Sequence, residues 1–320
     1  MKVLISGAEN ASELPGLDIA AEGIEILCAP DEATLRRELP GTEVLLGWNF
    51  RGRDLQNCWD QADSLRWIQW FGAGVDAVIF PGLADSEVTL TNQRGIFDTA
   101  MAEYVLGYMI AEVKKFEASR EAQRQHKWRY SMTRKLAGQR AAVFGVGSIG
   151  REVARLLTAV GVEVIGVGRR ERADEQLGTI RASSDALAIA ADVDWCIGVL
   201  PSTPASDDYF TAEFFAAMPT HARFVNIGRG RAQDETALAA ALHDGSIAGA
   251  MVDVFRTEPL PDSSELWDAP NLFISPHMSG DYAEFETDMV ALFNNNFHRY
   301  CAGEPLRNVV DKALGFVASS

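Results

Sequence analysis

RAAVFGVGSIGREVARLLTAVGVEVIGVGRR, residues 140–170, reads as one complete strand, turn, helix and strand. The apolar run 141–146 enters Gly145, Gly147 and Gly150, a helix-period segment continues through Val160, and a second apolar run occupies 162–167. In such a turn the first glycine permits a tight bend, the second lets backbone approach a pyrophosphate, and the third lets helix pack on strand. Ser148 and Ile149 open the helix, whose N-terminal N–H groups and dipole favour phosphate. Three glycines alone are a weak signal; between two strands at this spacing they predict a dinucleotide-binding unit.

The second strand ends in Gly168, Arg169 and Arg170. An acidic residue at this point would accept hydrogen bonds from the adenosine ribose of NAD, whereas two guanidinium groups suit a 2′-phosphate. Arg169 and Arg170 therefore predict NADP(H) as the preferred cofactor, with NAD(H) as the second candidate. The alternative is a solvated basic turn of the kind common at strand ends.

Upstream, short apolar strands at 3–5, 24–27, 44–46, 65–70 and 88–90 alternate with helical stretches, which predicts a smaller parallel α/β unit. From Asp98 or Thr99 a helix-period segment runs through Met101, Val105, Tyr108 and Met109 toward Arg120. Downstream, strands at 195–200, 223–227, 249–255 and 272–275, with a helix at 234–242, complete a doubly wound sheet. A final helix is expected over 282–300, and the tail from Leu306 is expected to rejoin the first unit. The fold class is α/β: a doubly wound Rossmann nucleotide-binding domain, 99–285, plus a smaller flavodoxin-like α/β substrate domain, 1–98 completed by 286–320. Segments 95–99 and 280–283 are the expected hinges, around which a cleft would close over substrate.

The 320 residues, 47% of them hydrophobic, suffice for two domains with sizeable cores. Lys plus Arg total 29 against 45 Asp plus Glu, and the net charge of −16 argues against nucleic acid or an anionic membrane surface as partner. Cys28, Cys58, Cys196 and Cys301 are scattered without metal-ligand or disulfide spacing, so no metal site is expected and a reducing cytoplasm fits. The opening MKVLISGAEN meets Glu9 too early for a signal peptide, and no apolar stretch is long enough to span a bilayer. The stretch 125–136, rich in aromatic and basic residues, is the least regular; it reads as a dimer arm with Trp128 reaching a partner.

Open α/β sheets bind ligands beyond the carboxyl ends of their strands. Three titratable residues stand there: Arg229 after strand 223–227, Glu258 after 249–255 and His277 after 272–275. Such a trio suits hydride transfer to a 2-oxo acid. Arg229 would clamp the carboxylate and polarise the carbonyl. His277 would protonate the carbonyl oxygen, and act as base in reverse. Glu258 would hold the ring and stabilise its charged form. Each taken singly also has a plain surface or ion-pair reading.

With these residues in place, the chain closely resembles the D-isomer-specific 2-hydroxyacid dehydrogenase family, which includes glyoxylate and hydroxypyruvate reductases. The resemblance covers nearly the whole chain. It rests on GVGSIG at 145–150, LPSTPAS at 200–206, FVNIGRGRAQDETAL at 224–238, VDVFRTEPLP at 252–261 and SPHMSG at 275–280. It implies Arg229, Glu258 and His277 as the catalytic residues, Asp253 on the nicotinamide carboxamide, and Leu200, Pro201 and Thr203 at the adenine end. Ile227, Gly228 and Gly280 fall within the same cofactor-binding motifs. FGAGVD at 71–76 resembles the loop whose backbone amides bind the substrate carboxylate, which points to Ala73 and Gly74; a structural turn is the alternative there. A homodimer formed through the nucleotide domains is implied as well.

Arg169 and Arg170 depart from the acid of NAD-using members, and Arg256 stands where many members carry an acid. Glu258, where the formate dehydrogenases of this superfamily use glutamine, makes formate a poor candidate. The expected activity is NADPH-dependent reduction of glyoxylate, hydroxypyruvate or a bulkier 2-oxo acid. Trp48, Trp70 and Phe71 are pocket candidates, although aromatic residues after a strand are more often core. The alternatives are a dinucleotide-sensing, corepressor-like binding protein and a phosphonate-oxidising dehydrogenase of the same superfamily.

Overall fold

The computed structural model describes residues 1–50 and 52–317. The chain divides into two compact units, Met1–Phe97 with Tyr282–Ser320, and Asp98–Asp281. Both are α/β.

In the first unit, β1 (Lys2–Ser6), β2 (Glu25–Ala29), β3 (Val44–Gly47), β4 (Trp67–Trp70) and β5 (Thr89–Thr91) form a parallel sheet in the order β2-β1-β3-β4-β5. Both β3 and β4 are buried along their whole length, which explains why their sequences, VLLG and WIQW, run without polar alternation. On one face, helix Phe285–Ala302 buries Met289, Val290, Phe293 and Phe297, with Phe293 stacked on Trp67 at 5.6 Å. On the other, Leu4, Leu45, Ile68 and Trp70 join Leu35, Leu83 and Leu90. The tail returns to this sheet: Val310 N–H donates to the Leu90 carbonyl at 2.8 Å.

The second unit carries β6 (Arg140–Phe144), β7 (Glu163–Gly168), β8 (Arg172–Asp174), β9 (Gly178–Ala182), β10 (Trp195–Gly198), β11 (Arg223–Asn226), β12 (Gly249–Val252) and β13 (Leu272–Ile274). Their order is β13-β12-β11-β10-β6-β7-β9-β8. All pairs are parallel except β8 with β9. From β6 the chain builds outward through β7 on one side and through β10 on the other, so the strand order reverses between β6 and β10. That reversal opens the crevice in which doubly wound sheets bind nucleotides.

Two features differ from the expectations. The helix from Asp98 stops at Lys114, Lys115 takes a left-handed conformation (φ 58°), and a second helix covers Phe116–Arg124. The apolar stripe of the first helix, Ala102, Val105, Met109 and Val113, ends there, and only Ala122 is buried in the second. The β8–β9 hairpin was not expected at all, because RADEQLGTIRA lacks an apolar run; Ile180 is its buried anchor. Among the described residues no helix is long and apolar enough to cross a membrane.

Candidate active site

The glycine turn shows why each glycine is needed. Gly145, at φ 105°, donates its N–H to Val167 at 2.9 Å, and a Cβ there would meet the Val199 carbonyl at 2.4 Å. A Cβ on Gly150 would sit 1.9 Å from the Gly145 carbonyl oxygen, so the helix descends onto the strand end only with glycine at this place. Gly147 caps helix Ser148–Ala159, and among the described residues nothing lies within 4 Å of where its Cβ would be. Open space before a helix N-terminus, reached through a tight turn, fits a pyrophosphate. Ser148 Oγ lies 3.2 Å from Asp98 Oδ1, and Ile149 packs on the core beneath.

Arg169 and Arg170 are exposed directly after β7. The hairpin that follows is pinned to the glycine-turn helix by Arg151, whose guanidinium reaches both Asp174 oxygens, at 3.0 and 2.5 Å. Asp174 also accepts the N–H groups of Gln176 and Leu177, each at 3.1 Å. Led by the Arg151 hydrogen bonds, these contacts hold its carboxyl at about 2. Nothing in the local pattern marks Arg151 and Asp174 as partners; only the fold joins them.

Beyond β10, Leu200, Pro201 and Thr203 enter a turn organised by buried Ser206. Its hydroxyl donates to the Pro201 carbonyl at 2.6 Å and accepts the Thr203 N–H at 2.9 Å. Gly228 lies against it, since a Cβ there would be 2.7 Å from both the N and O of Leu200. Ile227 is buried beneath.

Of the expected trio, His277 and Glu258 are brought into direct contact: His277 Nδ1 stands 2.7 Å from Glu258 Oε2, with both side chains about two-thirds buried. The other carboxylate oxygen accepts the Phe255 N–H at 2.9 Å, which fixes the group from behind. A carboxylate only accepts, so Nδ1 carries a proton and Nε2 is left for chemistry. Half-buried Arg229 follows β11, its Nη1 donating to the Gly228 carbonyl at 2.8 Å. Next to it, a Cβ on Gly230 would overlap the Phe255 carbonyl carbon at 1.9 Å, so the turn bearing Arg229 rests on the turn bearing Glu258.

Asp253, expected at the nicotinamide carboxamide, is fully buried and holds the histidine loop. Its Oδ1 accepts from Ser275 Oγ at 2.6 Å and Met278 N–H at 2.9 Å, its Oδ2 from Ser279 N–H at 3.0 Å, and its carbonyl from His277 N–H at 2.8 Å. His277 sits at φ 52°, a left-handed conformation costing on the order of 1 kcal/mol, and these bonds on both sides of it keep it there. Gly280 follows, half-buried. In the first unit, half-buried Ala73 and Gly74 form the turn after β4, where Asn92 Nδ2 donates to the Ala73 carbonyl at 2.6 Å. Trp70 and Phe71 are buried in that unit's core, while Trp48 is half-buried and packs edge-on to Phe71 at 5.1 Å.

Known proteins share this arrangement. The family model for the D-isomer specific 2-hydroxyacid dehydrogenase NAD binding domain matches residues 106–279. Glyoxylate/hydroxypyruvate reductase A of Serratia proteamaculans is 30% identical over 262 residues, 79% of this chain and 82% of the relative. A solved NADPH-dependent glyoxylate/hydroxypyruvate reductase from Sinorhizobium meliloti, in complex with NADP and sulfate, is 29% identical with a TM-score of 0.84 to 0.85 rounded as 0.85, covering 99% of this chain and 100% of that one. A D-isomer specific 2-hydroxyacid dehydrogenase from Xanthobacter autotrophicus, in complex with NADPH and MES, is 28% identical with a TM-score of 0.84, covering 98% and 99%. A nicotinamide-dinucleotide domain, the paired histidine and carboxylate, and these likenesses agree: the chain belongs to the D-isomer-specific 2-hydroxyacid dehydrogenase family.

Proposed function

We propose that this chain reduces a small 2-oxo acid, of the glyoxylate or hydroxypyruvate kind, to a D-2-hydroxy acid with NADPH. The observation that carries this reading is the His277–Glu258 pair, 2.7 Å apart beyond the carboxyl ends of β13 and β12. When bound, the reduced nicotinamide supplies hydride to the carbonyl carbon. His277, charged and held by Glu258 through Nδ1, gives the Nε2 proton to the carbonyl oxygen; in the reverse direction the neutral ring takes it back. Arg229 binds the substrate carboxylate and polarises the carbonyl.

Cofactor binding is assigned to Gly145, Gly147, Ser148, Ile149 and Gly150 at the pyrophosphate, and to Leu200, Pro201 and Thr203 at the adenine. Ile227, Gly228, Asp253 and Gly280 are assigned to the nicotinamide side. Arg169 and Arg170 take the 2′-phosphate, a role supported by their exposure after β7 and by the NADP and NADPH held in the two similar solved structures. In the first unit, proposed as the substrate domain, the amides of Ala73 and Gly74 bind carboxylate.

A homodimer in the cytoplasm completes the reading. Trp128, Tyr130 and Met132 are 102%, 86% and 77% exposed along an extended arm. The arm carries Lys127, Arg129, Arg134 and Lys135 and no acid, in a chain of net charge −16, so a second copy is the occupant its charge fits. Four free thiols support a reducing compartment.

The test follows nicotinamide absorbance with NADPH and NADH against glyoxylate, hydroxypyruvate, pyruvate and phenylpyruvate, for the wild type and an Arg169→Ala/Arg170→Ala variant. Turnover favouring NADPH, with the double variant losing at least roughly tenfold (about 1.4 kcal/mol) for NADPH and little for NADH, is expected. Absence of turnover with every pair sinks the reductase reading, and equal losses sink the phosphate clamp.

A further inference from the structure

We infer that Gln233 is a positioning residue whose buried carboxamide sets the register between the turn carrying Arg229 and the turn carrying Glu258. The roles of Arg229 and Glu258 rest on the reading proposed above; the coupling between their turns rests on geometry alone.

Gln233 and Asn226 are both fully buried. Asn226 Oδ1 accepts the Gly228 N–H at 3.0 Å, and its Nδ2 donates to the Arg229 carbonyl and to Gln233 Oε1, each at 3.0 Å. Gln233 Nε2 then donates to the Val254 carbonyl at 3.2 Å. Val254 precedes Phe255, whose N–H holds Glu258 Oε1 at 2.9 Å, and Glu258 holds His277. The Gln233 carbonyl accepts from Arg256 Nε at 3.2 Å, adding a second tie to the same segment. A continuous set of hydrogen bonds thus runs from the peptide units flanking Arg229 to the carboxylate behind His277.

The relay has one workable orientation. Rotating the Gln233 amide by half a turn would set Nε2 against Asn226 Nδ2 and Oε1 against the Val254 carbonyl. Rotating Asn226 would set its NH2 against the Gly228 N–H. Each exchange pairs donor with donor or acceptor with acceptor, and in a buried site such mismatches have no water to relieve them. Ordinary packing would hold these turns with an apolar residue; a buried amide satisfied at both ends instead fixes both distance and direction.

The test uses the full chain with Gln233→Leu, which keeps the volume and removes both bonds, and Gln233→Glu, which keeps the acceptor toward Asn226 and removes the donor toward Val254. With NADPH and glyoxylate, Gln233→Leu is expected to lower kcat/KM about tenfold, mainly through a higher KM for the oxo acid. NADPH affinity measured by fluorescence should stay within about twofold, a change of only about 0.4 kcal/mol. Hydrogen–deuterium exchange in the protein without substrate is expected to quicken in 226–233 and 253–258 together. In Gln233→Glu the 253–258 segment should quicken more than 226–233. If Gln233→Leu does not fold, Gln233→Glu is read in its place. A folded variant with unchanged exchange in 253–258, or with kcat/KM close to wild type, overturns the positioning role. Absence of wild-type turnover instead overturns the reductase reading, and exchange still decides the coupling.

Discussion

Replacing Glu258 by Gln swaps one oxygen for NH2 and, in this geometry, changes which nitrogen of His277 is protonated. Glu258 Oε1 accepts the Phe255 N–H at 2.9 Å while Oε2 faces Nδ1 at 2.7 Å. A glutamine has one acceptor for these two places. If its oxygen faces His277, its NH2 meets the Phe255 N–H; Phe255 is only 6% exposed, and a donor left unpaired there costs about 1–3 kcal/mol. That penalty favours the opposite orientation by roughly five- to 150-fold. The NH2 then faces Nδ1, which must be unprotonated to accept, so the ring proton moves to Nε2 and the doubly protonated acid is lost. Loss of a general acid lowers kcat by about 10²–10⁴, or about 2.7–5.4 kcal/mol of transition-state stabilisation. The assay is steady-state NADPH oxidation with saturating glyoxylate from pH 5 to pH 9, with cofactor affinity measured by fluorescence. A Glu258→Gln enzyme with near-wild-type kcat across that range and unchanged NADPH affinity would refute the tautomer argument.

Two further perturbations reach other parts of the chain. Asp174, held at about 2 against an ordinary value of 3.8, stabilises the fold above its unfolded pKa, and that contribution fades as pH falls from about 4 toward about 2. Arg151 is 30% exposed, so after solvent screening the loss in Asp174→Asn at neutral pH is about 1–2 kcal/mol, roughly 2–8 °C in Tm. The Tm gap between wild type and variant should narrow below pH 4, and a gap independent of pH would count against the ion pair. For the arm, sedimentation equilibrium should give twice the 34.9 kDa chain mass for wild type and a shift toward monomer for Trp128→Glu; a monomeric wild type at micromolar concentration rejects the homodimer.

The nucleotide-binding unit was legible because 140–170 stacks several local constraints in one segment. An apolar strand, glycines at fixed offsets and an amphipathic helix each admit few alternatives, and only one fold satisfies them together. The strands β10 to β13 were legible for a related reason: strands buried on both faces read as apolar runs. The β8–β9 hairpin was hidden because its order is tertiary, resting on the Arg151–Asp174 pair and on Ile180 under an otherwise polar surface. The break at Lys115 was hidden because no glycine or proline announces it. What stops the helix is the departure of the chain toward the arm, which folds back so that Arg134 N–H meets the Val113 carbonyl at 2.9 Å and Lys114 Nζ meets the Arg134 carbonyl at 3.0 Å.

At the site, sequence exposed the groups whose chemistry is scarce and concealed those whose value lies in complementarity. Arg229, Glu258 and His277 could be picked out because a titratable residue directly after a buried strand is conspicuous, and three in succession are more so. Asn226 and Gln233 carry amides with no chemistry of their own, and their significance arises only when Arg229 and Val254 present a carbonyl to each. Asp253 shows the same limit from the other side. Its acidic type and its place after β12 suggested a ligand contact, yet three donors from 275–279 converge on its carboxylate and its carbonyl takes a fourth. A histidine held at φ 52° needs such convergence, because a loop with fewer bonds would relax and carry the ring away from Glu258. The buried acceptors behind the histidine are therefore as much a part of the proton-transfer apparatus as the imidazole itself, although only the imidazole declares that chemistry by its type.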